Sequence, residues 1–205
     1  MKDRSQANRG RPHEEFIKYA NERYKQRKVA VIDKRPTEFT PIRNEKGKIV
    51  DVKVEEKSTV DFIGRLFNIP IAIEAKHTSS AVIRFDAVEE HQKEYMDMFT
   101  EEPGTIGLVV VSFGLTRFFA IPWAFWKAAY EARVAPGPAR KAPVTVEAHG
   151  QTWTIPPKVS ARVNELNPAW EVNGHSINYG LHYLENALHY RTPKTKTTTE
   201  DKHHE

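Results

Sequence analysis

The chain has 205 residues, 31 Lys and Arg against 27 Asp and Glu, a formal net charge of +4, 39% hydrophobic residues and no cysteine. That length and apolar content suit one domain with an adequate core, and the lack of cysteine excludes a disulfide framework and a thiolate metal site. No apolar run approaches the roughly 18 residues of a spanning helix, and the first residues lack an apolar signal core, so a soluble, cytoplasmic protein is expected.

Charge is unevenly spread. The first 35 residues hold eleven Lys or Arg and five Asp or Glu, which suits contact with a polyanion. Residues 1–8 read as a disordered basic arm. The next stretch, Asn8, Arg9, Gly10 and Arg11, suits phosphate binding through its side chains and the amides of a helix start, and suits a flexible arm equally. A helix is predicted from about Pro12 to Gln26, with Phe16, Tyr19, Ala20 and Tyr24 as its apolar stripe. Glu14 lies on that helix, either as a plain exposed acid or as an outer member of an acidic site. Residues 29–32 read as a short buried strand. Residues 36–57 read as a protruding hairpin, 39–42 and 49–54 being its arms and Asn44-Glu45-Lys46-Gly47 its turn.

The stretch 58–76, STVDFIGRLFNIPIAIEAK, carries the chemistry. Two apolar strands flank a turn, and the second ends on Glu74, Ala75 and Lys76. Alternation puts Glu74 and Lys76 on one face, about 6.6 Å apart along the strand. If Asp61 begins an antiparallel partner strand, its carboxylate reaches that face. Asp61, Glu74 and the Ala75 carbonyl then form a set of hard oxygen donors suited to Mg²⁺, and Lys76 is placed to orient or deprotonate a water. The same spacing also suits a salt bridge at a strand end. His77 should point to the opposite face.

A polar loop follows, then a helix predicted over about 86–100. Its face carries Val88, His91, Gln92, Tyr95, Met96 and Phe99; Gln92 suits the site or the core, and Tyr95 the core. Residues 106–113 read as a central strand, 117–121 as another, and 122–133 as a helix with Trp123, Trp126 and Tyr130 inward. Residues 134–143 read as a linker. The segment 144–191 reads as a carboxy-terminal extension with a small hairpin near 144–154 and helical stretches near 158–166 and 178–190. Residues 192–205 read as a disordered tail. No Walker loop, GxGxxG or zinc spacing occurs, which disfavours a nucleotide cofactor and a zinc site.

Taken in order, these blocks resemble the PD-(D/E)xK nuclease superfamily and, within it, the RecU-type Holliday junction resolvases of Gram-positive bacteria and phages. The resemblance rests on Asn8-Arg9-Gly10 with Glu14-Glu15, on residues 30–37 (AVIDKRPT), on Ser58-Thr59-Val60-Asp61-Phe62 with Gly64, on Glu74-Ala75-Lys76 and on Glu90-His91-Gln92. It implies an α/β, restriction-endonuclease-like nuclease domain over 9–133. A mixed sheet would be flanked by helices, with a stalk at 36–57 and the carboxy-terminal extension appended.

The resemblance further implies a Mg²⁺-dependent endonuclease, with Mn²⁺ able to substitute, that acts as a homodimer and nicks paired strands of four-way junction DNA. A RecA-type recombinase would be a further partner. Asp61, Glu74 and Lys76 would be catalytic, with Glu14 completing the acidic site and Thr59 and Gln92 supporting it. Arg9, Arg11, Lys34, Arg35, Arg43, Lys46, Lys48 and Lys53 would meet DNA. The alternatives are a flap-cutting or restriction-type nuclease of the same superfamily, or a junction-binding recombination accessory without cleavage.

Overall fold

In the computed structural model the described residues are 11–36, 38–56, 59–136 and 141–192. Six strands form a mixed sheet: β1 (Ala30–Lys34), β4 (Phe62–Leu66), β5 (Ile69–Thr78), β7 (Ile106–Phe113), β8 (Arg117–Pro122) and β12 (Glu171–Val172). They lie side by side in that order. Only the central pair, β5 and β7, is parallel; all others are antiparallel. Every residue of β7 is buried, as a β-branched run covered on both faces must be. Helix α1 (Arg11–Gln26) packs on one face, and α2 (Glu90–Glu101) and α3 (Trp123–Arg133) pack on the other. This is the mixed α/β architecture expected from the sequence.

Two glycines record how tightly the layers meet. A β-carbon on Gly64 would lie 2.0 Å from the Val31 carbonyl oxygen, so only glycine lets β4 sit against β1 there. A β-carbon on Gly107 would lie 2.6 Å from the Thr100 methyl, where α2 crosses β7.

The apolar stripe of α1 differs from the expected one. His13, Ile17, Ala20 and Tyr24 are buried, whereas Phe16 and Tyr19 are 40% and 56% exposed. Spacings of four, three and four make one helical face, and the two exposed aromatics lie one position off it. Helix α2 starts later than expected. Phe85 sinks into the core from a 3-10 turn, Phe85–Ala87, and helical bonding begins only after Glu89, whose backbone N–H donates to Gln92 Oε1 at 2.9 Å.

The hairpin of residues 36–57 is present as β2 (Glu38–Arg43) paired with β3 (Ile49–Glu56), and among the described residues these two pair with each other alone. Gly47, at φ 73°, supplies the left-handed turn residue.

The hairpin near 144–154 is also present, β9 (Val144–Ala148) against β10 (Gln151–Ile155). His149 and Gly150 both take positive φ at its tip, the geometry of a type I′ turn.

The two helical stretches expected beyond it are absent. In their place are β11 (Ser160–Arg162), short 3-10 turns and irregular chain. Asparagine side chains satisfy nearby amides instead: Asn167 Oδ1 accepts from the Ala169 N–H and Asn173 Oδ1 from the His175 N–H, bonds that compete with helix.

This carboxy-terminal segment is woven into the core. Strand β11 pairs with β6 (Val82–Arg84), β12 extends the main sheet, and Trp153 and Trp170 pack edge-on against each other beside Phe125.

Candidate active site

The β4–β5 ladder stops at Phe62 opposite Ile73, so Asp61 falls beside Glu74 just past the last pair. The Asp61 backbone carbonyl accepts from the Arg35 N–H at 2.8 Å, which fixes this residue to the base of the hairpin. Its side chain turns onto β5, where Oδ2 accepts from the Ala75 N–H at 2.8 Å. A strand residue points its N–H and C=O to the same edge, so the Ala75 carbonyl also faces the Asp61 carboxylate beyond the end of β4.

Among the described residues Glu74 is the most enclosed acid, with a side chain only 1% exposed. Its Oε1 is 2.7 Å from Lys76 Nζ, and its Oε2 is buried with no hydrogen-bond partner among the described residues. A buried oxygen without a partner costs free energy, and it marks where a ligand can bind. Burial, and then the Asp61 carboxylate nearby, push the Glu74 carboxyl up to about 8 against the relief that Lys76 gives. Burial likewise raises Asp61, opposed by the Ala75 N–H and by Lys76.

Lys76 Nζ also donates to Gln92 Oε1 at 3.1 Å. That oxygen accepts from Glu89 N–H as well, so one amide ties the lysine to the start of α2. Glu14 reaches the same end of the sheet from α1. It pairs with Lys34 and lies close enough to Asp61 to act on its ionisation.

Glu14, Lys34, Asp61, Glu74, Ala75, Lys76 and Gln92 are thus gathered at one end of the sheet. Thr59 lies two residues before Asp61 with a buried Oγ1 that has no partner among the described residues. His77 is on the opposite face, as alternation requires, with Nδ1 3.3 Å from Ser112 Oγ.

Lys46 and Lys48 are exposed at the hairpin turn, and Arg35 is exposed at the hairpin base. Arg9, and the side chains of Arg11, Arg43 and Lys53, lie outside the described residues. Sequence reasoning missed the Glu14–Lys34 ion pair, which no spacing announces. It also missed the capping bond from Glu89 to Gln92, which Glu-x-x-Gln spacing would have signalled.

Among the described residues, no three His, Cys, Asp or Glu side chains converge as a metal cage. Two carboxylates and a carbonyl make a sparser set. Such a set fits Mg²⁺, which holds few protein oxygens and leaves its other positions to water and phosphate. The unpartnered Glu74 oxygen is the observation that supports the fit.

A pH dependence follows. Glu74 binds its proton more tightly folded than unfolded, so rising pH destabilises the folded chain between about 4.5 and about 8. Without divalent cation, the thermal midpoint of the wild type should fall across that window relative to Glu74→Gln. Added Mg²⁺ at the upper end should restore it by binding the ionised form. The comparison with Glu74→Gln separates this from His13, whose lowered pKa acts in the reverse direction and removes stability as pH falls below 6.5.

Several relatives carry the name Holliday junction resolvase RecU. The protein of Staphylococcus saprophyticus is 26% identical over 165 residues, 77% of this chain and 78% of its own. That of Streptococcus mutans is 32% identical over 117 residues, 54% of this chain and 59% of its own. That of Streptococcus sanguinis is 28% identical over 125 residues, 58% and 62% of the two chains. The family model for recombination protein U matches residues 8–164, which takes in α1, the hairpin, the whole acidic cluster and β11. The chain belongs to the RecU family.

Proposed function

We propose that this protein is a Holliday junction resolvase, an endonuclease that nicks paired strands of a four-way DNA junction by Mg²⁺-dependent hydrolysis. The observation that carries the chemistry is the buried Glu74 carboxylate with an unpartnered oxygen, next to the half-buried Asp61 and beside a lysine held in place by two acceptors. The names of the relatives support the substrate.

Asp61, Glu74 and the Ala75 carbonyl would hold the cation. Bound there, Mg²⁺ supplies Lewis-acid stabilisation of charge on the phosphate and lowers the pKa of a water. Lys76, kept between Glu74 and Gln92, orients the attacking water against the phosphorus. The water oxygen bonds to phosphorus as the bond to the 3′ oxygen breaks, leaving a 5′ phosphate and a 3′ hydroxyl. Glu14 sets the field at Asp61 and anchors Lys34 at the hairpin base. Gln92 holds the Lys76 ammonium through its side-chain oxygen, so this one hydrogen bond helps set the geometry of attack.

A four-way junction is two-fold symmetric, and paired nicks need two sites, so two copies of the chain act together. Lys34, Arg35, Lys46 and Lys48 would meet phosphates.

The test compares a synthetic four-way junction, a flap and a linear duplex of shared sequence, with Mg²⁺, Mn²⁺ or chelator. Symmetric metal-dependent nicks in the junction, with the duplex spared, are expected. Preferential cutting of the flap or duplex makes it another nuclease of this type. Binding without cutting under both metals makes it a recombination accessory.

A further inference from the structure

Behind the acidic cluster, on the α1 face of the sheet, lies a buried histidine that the mechanism above does not use. His13 sits in the first turns of α1 with 1% of its surface exposed. Its Nε2 is 2.9 Å from the Val110 carbonyl oxygen, which can only accept, so Nε2 carries the proton. Nδ1 is therefore a buried lone pair, without a partner among the described residues. Burial holds the ring neutral, with its pKa lowered to about 4. The ring stacks on Phe118 at 5.9 Å between centroids.

A leucine would fill this place without burying an unsatisfied nitrogen, a cost that histidine incurs. What histidine gains is one bond, and its acceptor is informative. Val110 on β7 stands in register with Ala75 on β5, whose N–H holds the Asp61 carboxylate. The bond from His13 therefore fixes α1 to the sheet at the level of the acidic cluster. Glu14 is the next residue, and it lies close enough to Asp61 to act on its ionisation.

We propose that His13 is a positioning residue for the cleavage reaction: by gripping the Val110 carbonyl it sets the register of α1 against β7 and so places Glu14 at Asp61 and Lys34. The inference rests on the nuclease reading above. A group held about an ångström out of place can cost on the order of 100-fold in rate without any loss of binding.

His13→Leu keeps the apolar volume and removes the donor; His13→Gln keeps a donor of similar reach. The expected result is a fall of about 10- to 100-fold in the single-turnover cleavage rate of His13→Leu. Its junction affinity should be unchanged, and His13→Gln should recover most of the rate. In a Glu14→Gln background, His13→Leu should cost nothing further, because its effect runs through Glu14.

Cleavage by His13→Leu at the wild-type rate, or a loss that multiplies with that of Glu14→Gln, overturns the inference and leaves the nuclease reading standing. Wild-type protein that never cuts overturns both. Circular dichroism and thermal melting check the fold of each variant. Should His13→Leu not fold, His13→Asn against His13→Gln repeats the comparison, since asparagine is too short to reach Val110.

Discussion

Replacing Glu74 with Gln, or Asp61 with Asn, is expected to lower junction cleavage about 10³-fold or more while leaving junction binding intact. The size follows from what is removed. A carboxylate that holds a cation contributes several kcal/mol of transition-state stabilisation, and about 1.4 kcal/mol is a factor of ten in rate. Binding should survive, because neither change adds negative charge to the region where phosphate is proposed to bind.

The fold should survive as well. Asparagine at position 61 keeps an oxygen for the Ala75 N–H, now 2.8 Å from Oδ2. Glutamine at position 74 relieves the charge repulsion that helps push the wild-type carboxyl up to about 8. Single-turnover cleavage with Mg²⁺, beside gel-shift affinity and a thermal melt of each variant, is the measurement. An unmutated rate from either variant would remove these two residues from the reaction.

Much of this site is legible in the sequence because strand geometry is local. Period-two alternation alone puts Glu74 and Lys76 on one face and His77 on the other. The apolar run of 106–113 likewise announces the central strand, and Asn44 to Gly47 the hairpin turn. What cannot be read depends on tertiary register. Nothing in the spacing of Glu14 and Lys34, 20 residues apart, says that they pair.

The buried face of α1 escapes a reading that weights large aromatics over Ile17. One buried polar residue in that face, His13, is explained only by a carbonyl 97 residues away. The carboxy-terminal stretches have the composition of helices, but their asparagines and glycines bond or bend the chain locally. Strands as short as β11 and β12 exist because β6 and β8 offer them an edge.

Excising residues 38–56 and closing the gap with a short Gly-Ser link should abolish junction selectivity without dismantling the catalytic cluster. Among the described residues, β2 and β3 pair with no other strand, so their loss removes no rung of the main sheet. A lone two-stranded hairpin is marginally stable and contributes little to the fold as a whole. The residues that hold Asp61 lie outside it: the Arg35 N–H and the Ala75 N–H remain in place.

The hairpin does carry exposed cations, with Lys46 and Lys48 at its turn. Their amides both bond to Asn44 Oδ1, which fixes the turn that presents them. Every phosphate that the protein ceases to neutralise should reduce the salt dependence of binding by about 0.9 in log–log slope, hence by nearly 2 for the Lys46→Ala, Lys48→Ala pair if both meet phosphate.

The excised protein should therefore bind junction and linear duplex with similar affinity and cut neither preferentially, while Mg²⁺ still raises its thermal midpoint. Retained preference for the junction would move the source of selectivity from the hairpin to the surface around the acidic cluster itself. A lost response to Mg²⁺ would instead mean that the hairpin base, through Arg35 and Asp61, is part of the cation site.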